Sequence, residues 1–303
     1  MREPLFPEDF NVFWNDLLYK SSEIPLNETF EKIELRSSSK TDVSLVHYDS
    51  IDNIRIAGWY CLPNNTTSSK KKIPAIVHMP GYIGEPEIPI NHTLDGYATF
   101  GVITRGKLQS NNKFNPGFPG LLTHNINDRE TYSLRGLYID AIRAIDFLLS
   151  RDEIDSDRIG ITGGSQGGGL TIVTAALRPE IRVAVAAAPF PCGLIKSSEL
   201  AKTYPFEEIA EYLRLYPNQK QKVIETLRYF DVINFAKFVE IPIMVLFGVQ
   251  DSVCPVETVM EACDAIPYKN KKIYSYDGHG HDAGRSKHVT ITKKFFKKYL
   301  KQN

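Results

Sequence analysis

Short apolar runs recur along this chain, each closed by glycine, proline or polar residues. Between most of them, apolar positions return at helical spacing. "DVSLVHYDSIDNIRIAGWYCLP" reads as two strands around a polar turn at Asp49 to Asn53. Further strands are expected at "IPAIVHMPGY", "YATFGVITRG", "RIGIT", "RVAVAAAP", "IPIMVLFG" and "KKIYSYD". From Thr131 to Ser150, the positions Leu134, Leu137, Tyr138, Ala141, Ile142, Ile145, Leu148 and Leu149 fall on one helical face. "HVTITKKFFKKYL" closes the chain as an amphipathic helix, basic toward its C-terminal end where the helix dipole favours positive charge. Apolar strands alternating with helices predict an α/β fold with a mostly parallel central sheet and helices on both faces.

No internal repeat and no dividing linker interrupts the chain, so residues 1–303 read as one domain. The region from Leu194 to Glu240 departs from the alternation, being polar and helical between two expected strands. An insertion there sits above the C-terminal edge of the sheet, where open α/β folds bind ligands, as a lid or as plain decoration. The first forty residues are mixed, with aromatic anchors at Phe6, Phe10, Phe13 and Trp14. Neither they nor the strand pair near Asp42 to Cys61 has an evident place in the central sheet, which makes them candidates for an oligomer contact.

Composition narrows the function classes. Lys+Arg and Asp+Glu number 36 each, giving no electrostatic reason to bind nucleic acid or an anionic membrane. The run "NNTTSSKKK" from Asn64 to Lys72 reads as a solvated loop. No signal-peptide pattern opens the chain, and no segment reaches the roughly 18 apolar residues of a membrane span. Cys61, Cys192, Cys254 and Cys263 show neither C-x-x-C spacing nor a disulfide framework, so a cytosolic protein is expected. The N-x-T triplets at Asn27, Asn65 and Asn91 are then chance matches.

The chemistry concentrates in "RIGITGGSQGGGLTIVTAAL", Arg158 to Leu177. Gly163-Gly164-Ser165-Gln166-Gly167 is G-x-S-x-G between a strand and a helix, the nucleophile elbow of α/β-hydrolases. The turn is too tight for bulky neighbours, which Gly163 and Gly167 satisfy; Gly164, Gly168 and Gly169 give further room for close helix–sheet packing. A phosphate-binding loop is disfavoured, because no lysine follows and G-x-G-x-x-G is not properly matched.

A serine needs a base, and this fold supplies Ser, then Asp or Glu, then His, each after a later strand. "VQDSVCP" offers Asp251 after one strand, and "GHGHD" offers His279 and His281 after the next. His279, flanked by Gly278 and Gly280 at a loop tip, is favoured as the base. His281 precedes Asp282 and is the competitor, unless it begins or caps the last helix. A metal reading of "HGHD" needs a further ligand cluster that the sequence does not offer. For the oxyanion, the N–H of Gln166 after the nucleophile is one donor, and the N–H of Tyr82 in "HMPGYIG" is the candidate second.

"RIGITGGSQGGGLTI", Arg105-Gly106, "DGYATFG" and "TYSLRGLYIDAIRAIDFL" together resemble the acetyl xylan esterase / cephalosporin-C deacetylase family, carbohydrate esterase family 7. The similarity runs from "FWNDLL" at Phe13 to the final helix. It implies a cytosolic serine esterase that deacetylates short xylo-oligosaccharides and cephalosporin C, without metal or organic cofactor. It also implies a homo-oligomer, typically a hexamer built from dimers. By matching position it makes Ser165 the nucleophile, Asp251 the acid, His279 the base, and Tyr82 and Gln166 the oxyanion donors. Two positions depart from the family: its Arg-Gly-Gln motif reads Arg105-Gly106-Lys107, and its His-Glu motif reads His279-Gly280.

Overall fold

The computed structural model describes residues 6–64, 71–83 and 86–301. The loop expected at Asn64 to Lys72 therefore falls mostly outside the described residues, as does the Asn65 triplet. The sheet is built from β1 (Thr29–Lys32), β2 (Thr41–Ser50), β3 (Ile54–Pro63), β4 (Ile73–Met79), β5 (Ala98–Ile103), β6 (Ile154–Gly164), β7 (Ile181–Ala187), β8 (Ile243–Gly248) and β9 (Lys272–Tyr276). Among the described residues these strands form one sheet in the order β1-β2-β3-β5-β4-β6-β7-β8-β9. From β5 to β9 every neighbouring pair is parallel. Strands β5 and β8 are buried along their whole length, as a parallel sheet covered on both faces requires.

Helices cover both faces as the alternation predicts. On one side, α10 (Val289–Leu300) presses Phe295, Phe296 and Leu300 against Ile76, Val183, Val185, Met244 and Leu246. On the other lie α3 (Ser133–Leu149) and α4 (Gln166–Leu177), which share the main core with α1 (Phe10–Ser22).

Two expectations change. The strand pair β2–β3 is not spare surface. Its inner strand β3 joins β5 antiparallel, Ala57 opposite Ile103 and Cys61 opposite Thr99, and so extends the central sheet. Hairpin patterning alone could not reveal this, because the partner strand β5 lies about forty residues downstream. The aromatic N-terminal segment is likewise internal: it forms α1, whose buried Trp14 ring meets Phe230 and Phe235 edge-on. The indole N–H of Trp14 donates to the Tyr229 carbonyl at 3.0 Å.

The 194–240 region holds α5 (Leu194–Leu200), α6 (Phe206–Leu215), α7 (Lys220–Leu227) and α8 (Val232–Ala236). Its Leu194, Phe206, Ile209, Leu227, Phe230 and Phe235 are buried in the main core. A polar average hid these apolar positions, since each short helix sends only a few side chains inward.

Candidate active site

Strand β6 delivers the chain into α4 through a single strained residue. Ser165 has φ 56° and ψ −123°, in the left-handed half of backbone space that a side chain disfavours. Hydrogen bonds clamp it there: its N–H donates to the Ala187 carbonyl at 2.9 Å, and its carbonyl accepts from Phe190 N–H at 3.0 Å. The glycines are steric necessities. A Cβ on Gly167 would stand 2.2 Å from the Met79 carbonyl oxygen, and one on Gly163 would stand 2.5 Å from the Gly167 backbone. The first turn of α4 thus begins directly behind the serine, with its free N–H groups and positive dipole end at the elbow.

Asp251 follows β8 and is nearly sealed from solvent, its side chain 1% exposed. One carboxylate oxygen accepts from the N–H groups of Val253 and Cys254 at 2.8 and 2.9 Å. The other meets Nδ1 of His281 at 2.9 Å. This corrects the expected base: His281, not His279, faces Asp251. The backbone of His279 explains the difference. Its carbonyl accepts from Gln250 N–H at 2.9 Å and lies so close to Gly248 that a Cβ there would meet it at 2.3 Å. Pinned against the end of β8, His279 turns its ring to Asp282, Nδ1 to Oδ2 at 2.9 Å. Nor does His281 begin the last helix, which starts at Val289.

The "HGHD" residues therefore form two separate pairs, His281 with Asp251 and His279 with Asp282. Cys254 adds a sulfur beside the first pair, with ligand atoms of Asp251, Cys254 and His281 all within 4.8 Å. Burial, with the Asp251 charge beside it, pushes the Cys254 thiol well above its ordinary range. Its Sγ sits 3.6 Å from the Ala188 carbonyl oxygen.

Tyr82, the other expected donor, lies on the loop after β4. Its hydroxyl donates to Glu208 Oε2 on α6 at 2.5 Å, and its carbonyl accepts from Lys107 Nζ at 2.7 Å. The second Glu208 oxygen takes the N–H groups of Gly120 and Thr123 and the Thr123 hydroxyl. Burial and the neighbouring Glu208 charge push the Tyr82 phenol far up, so it stays protonated. The Tyr82 ring packs edge-on against Phe118 at 5.1 Å and Phe190 at 5.9 Å, and Phe190 lies 4.6 Å from Phe206. The buried Gln166 side chain reaches the Gly81 carbonyl at 3.5 Å, in the same peptide that carries the Tyr82 N–H. Sequence reasoning missed Glu208 altogether. It lies 126 residues from Tyr82, and nothing local marks that acid in "PFEEIAEYL" as buried.

A cavity of about 720 Å³ lies behind the elbow on the α10 side, lined in part by His78, Gly81, His92, Gly164, Ala187 and His288. Its lining includes none of Ser165, Asp251 or His281.

The family model for acetyl xylan esterase (AXE1) matches residues 1–300. The chain belongs to the acetyl xylan esterase family. The acetyl xylan esterase from Paenibacillus sp. R4 superposes with a TM-score of 0.90 at 30% identity, covering 97% of this chain and 96% of that one. Acetyl xylan esterase 1 from Thermoanaerobacterium sp. JW/SL YS485 gives 0.87 at 26% identity, covering 97% and 95%. The acetyl esterase Axe7A of Xylanibacter ruminicola is 27% identical over 83% of this chain, which spans only 58% of that relative's length. More distant α/β-hydrolases, such as the acylaminoacyl peptidase of Pyrococcus horikoshii at 18% identity and a TM-score of 0.62, share the fold.

Within this family the geometry also resets one of the two departures. With His281 on Asp251, the residue after the histidine is Asp282, an acid as in the family's His-Glu motif, and Gly280 is no longer a departure. Lys107 stands. Its neighbour Arg105 is buried and ties α3 to the strand edge, bonding both oxygens of Asp140 at 2.8 and 2.9 Å and Asp52 at 2.8 Å. Gly136 is what lets this guanidinium in, since a Cβ there would overlap it at 1.9 Å. Removing the buried anion leaves the buried guanidinium with only the partly exposed Asp52 as an ionic partner among the described residues. Asp140→Ala is therefore expected to cost about 3–5 kcal/mol of stability, read as a lower urea midpoint with an unchanged slope.

Proposed function

We propose that this chain is a serine esterase that hydrolyses O-acetyl esters of small substrates, acetylated xylo-oligosaccharides and cephalosporin C among them, through an acyl-enzyme. The observation that carries the reading is the His281 Nδ1 contact to the buried Asp251 carboxylate, in a fold whose elbow serine begins α4. With Nδ1–H held by Asp251, Nε2 is the ring nitrogen left to accept a proton. Ser165 Oγ attacks the ester carbonyl as His281 takes its proton, and Asp251 stabilises the imidazolium. The N–H groups of Gln166 and Tyr82 receive the developing oxyanion. His281 then protonates the departing alcohol. Water, deprotonated by the same ring, attacks the acetyl-serine and releases acetate.

Acetyl preference is supported by the aromatic packing of Tyr82, Phe118, Phe190 and Phe206 beside the elbow. An open apolar pocket would reward each added methylene with about 0.8 kcal/mol. A closed one turns that gain into a steric cost of 10-fold or more. Across p-nitrophenyl esters, kcat/KM should fall steeply from acetate to butyrate. Butyrate or octanoate cleaved faster than acetate would replace this reading with a general carboxylesterase. Four buried, unpaired cysteines support a reducing, cytoplasmic setting. A homo-oligomer, hexamer or dimer, stays in the proposal on the family's account, because the strand pair that suggested it locally lies within the sheet.

A further inference from the structure

Lys107 replaces the family's glutamine with a cation, and the fold buries it: the residue is 6% exposed. Its ammonium donates to the Tyr82 carbonyl at 2.7 Å and lies 4.6 Å from the centre of the Phe118 ring. Tyr82 is thereby fixed at separate points, its hydroxyl by Glu208 and its carbonyl by Lys107, while its N–H has no acceptor among the described residues. A charge-assisted hydrogen bond is shorter and about twice as strong as a neutral one, so this ammonium holds the loop more firmly than an amide would. Its field also favours negative charge gathering on the substrate side of the same loop.

We propose that Lys107 is a positioning residue for ester hydrolysis, a cation that holds the Tyr82 loop in its oxyanion-accepting geometry and makes activity depend on the ammonium being charged. The proposal rests on the esterase reading above. Burial lowers the Lys107 pKa to about 8, so the charge is present at pH 7 and lost as pH rises through that value. Among the described residues, the neighbouring groups with shifted values lie outside this window. The Tyr82 and Tyr132 phenols are raised by burial, and Arg105, raised by Asp140 and Asp52 against its own burial, stays charged. Glu208 accepts from four donors, the Tyr82 hydroxyl, the N–H groups of Gly120 and Thr123 and the Thr123 hydroxyl, and so holds Tyr82 by its hydroxyl while Lys107 holds its carbonyl.

The test is the pH profile of kcat/KM for p-nitrophenyl acetate from pH 6 to 10, for the wild type, Lys107→Met and Lys107→Gln, with Ser165→Ala alongside. The wild type should lose about 10-fold on a descending limb centred near pH 8. Lys107→Met should be about 10-fold slower at pH 7 and show no such limb. Lys107→Gln, which keeps a neutral donor, should recover part of the pH 7 rate and also lack the limb; it decides the question if the methionine variant does not fold. A limb that persists in the glutamine variant at the same midpoint, or a wild type with none, overturns the proposal. Both outcomes remain separable from failure of the esterase reading, which would show as Ser165→Ala retaining its rate.

Discussion

Ser165→Ala should lose about 10³-fold or more in kcat while folding as the wild type does. The loss follows because alanine has no oxygen to form the acyl-enzyme; what remains is the residual help of the oxyanion donors and substrate binding. Folding should survive because the clamp at this residue is made by backbone groups, the Ala187 carbonyl and the Phe190 N–H, which alanine leaves intact. Alanine also carries the same Cβ at φ 56°, so the strain is unchanged. Single-turnover acetate release, with thermal unfolding as the control, checks both halves. An alanine variant that keeps most of the rate would remove Ser165 from the chemistry.

His281→Ala should cost about as much as losing the serine, and combining the two changes should cost little more, because triad members act as a unit. His279→Ala should cost far less. Its ring bonds Asp282 rather than Asp251, and that bond is what lowers the Asp282 carboxyl below its ordinary range. Losing it frees one partly exposed carboxylate and leaves the His281–Asp251 pair in place. Steady-state kcat for both single variants and for Ser165→Ala/His281→Ala decides the order. Greater loss from His279→Ala than from His281→Ala would return the base to the loop tip.

These two histidines mark where the sequence stops being legible. The elbow could be read directly, since Gly163 and Gly167 are demanded by contacts within a few residues or with the adjoining strand end. The parallel strands could be read too, because burial on both faces leaves continuous apolar runs. Which ring of "HGHD" reaches Asp251 is different. It is set by the close approach of the His279 carbonyl to Gly248 and Gln250, a contact between segments about thirty residues apart. Flanking glycines placed His279 at a loop tip, whereas the fold uses that position to lock the loop and presents the next ring, His281. The Tyr82–Glu208–Thr123 network is hidden for the same reason, being assembled from three distant segments with no periodic signature. Strands β2 and β3 were visible as strands but not as part of the sheet, and β1 was not read as a strand at all, since strand pairing is a long-range choice.

The central claim is that a base-activated serine at the elbow forms a covalent intermediate. It is tested most directly by reacting the native protein with a fluorophosphonate ester and mapping the adduct by peptide mass spectrometry. The account predicts one adduct per chain, on Ser165, formed much more slowly in His281→Ala and at nearly the native rate in His279→Ala. An adduct on another residue, or none while esterase activity continues, would contradict it.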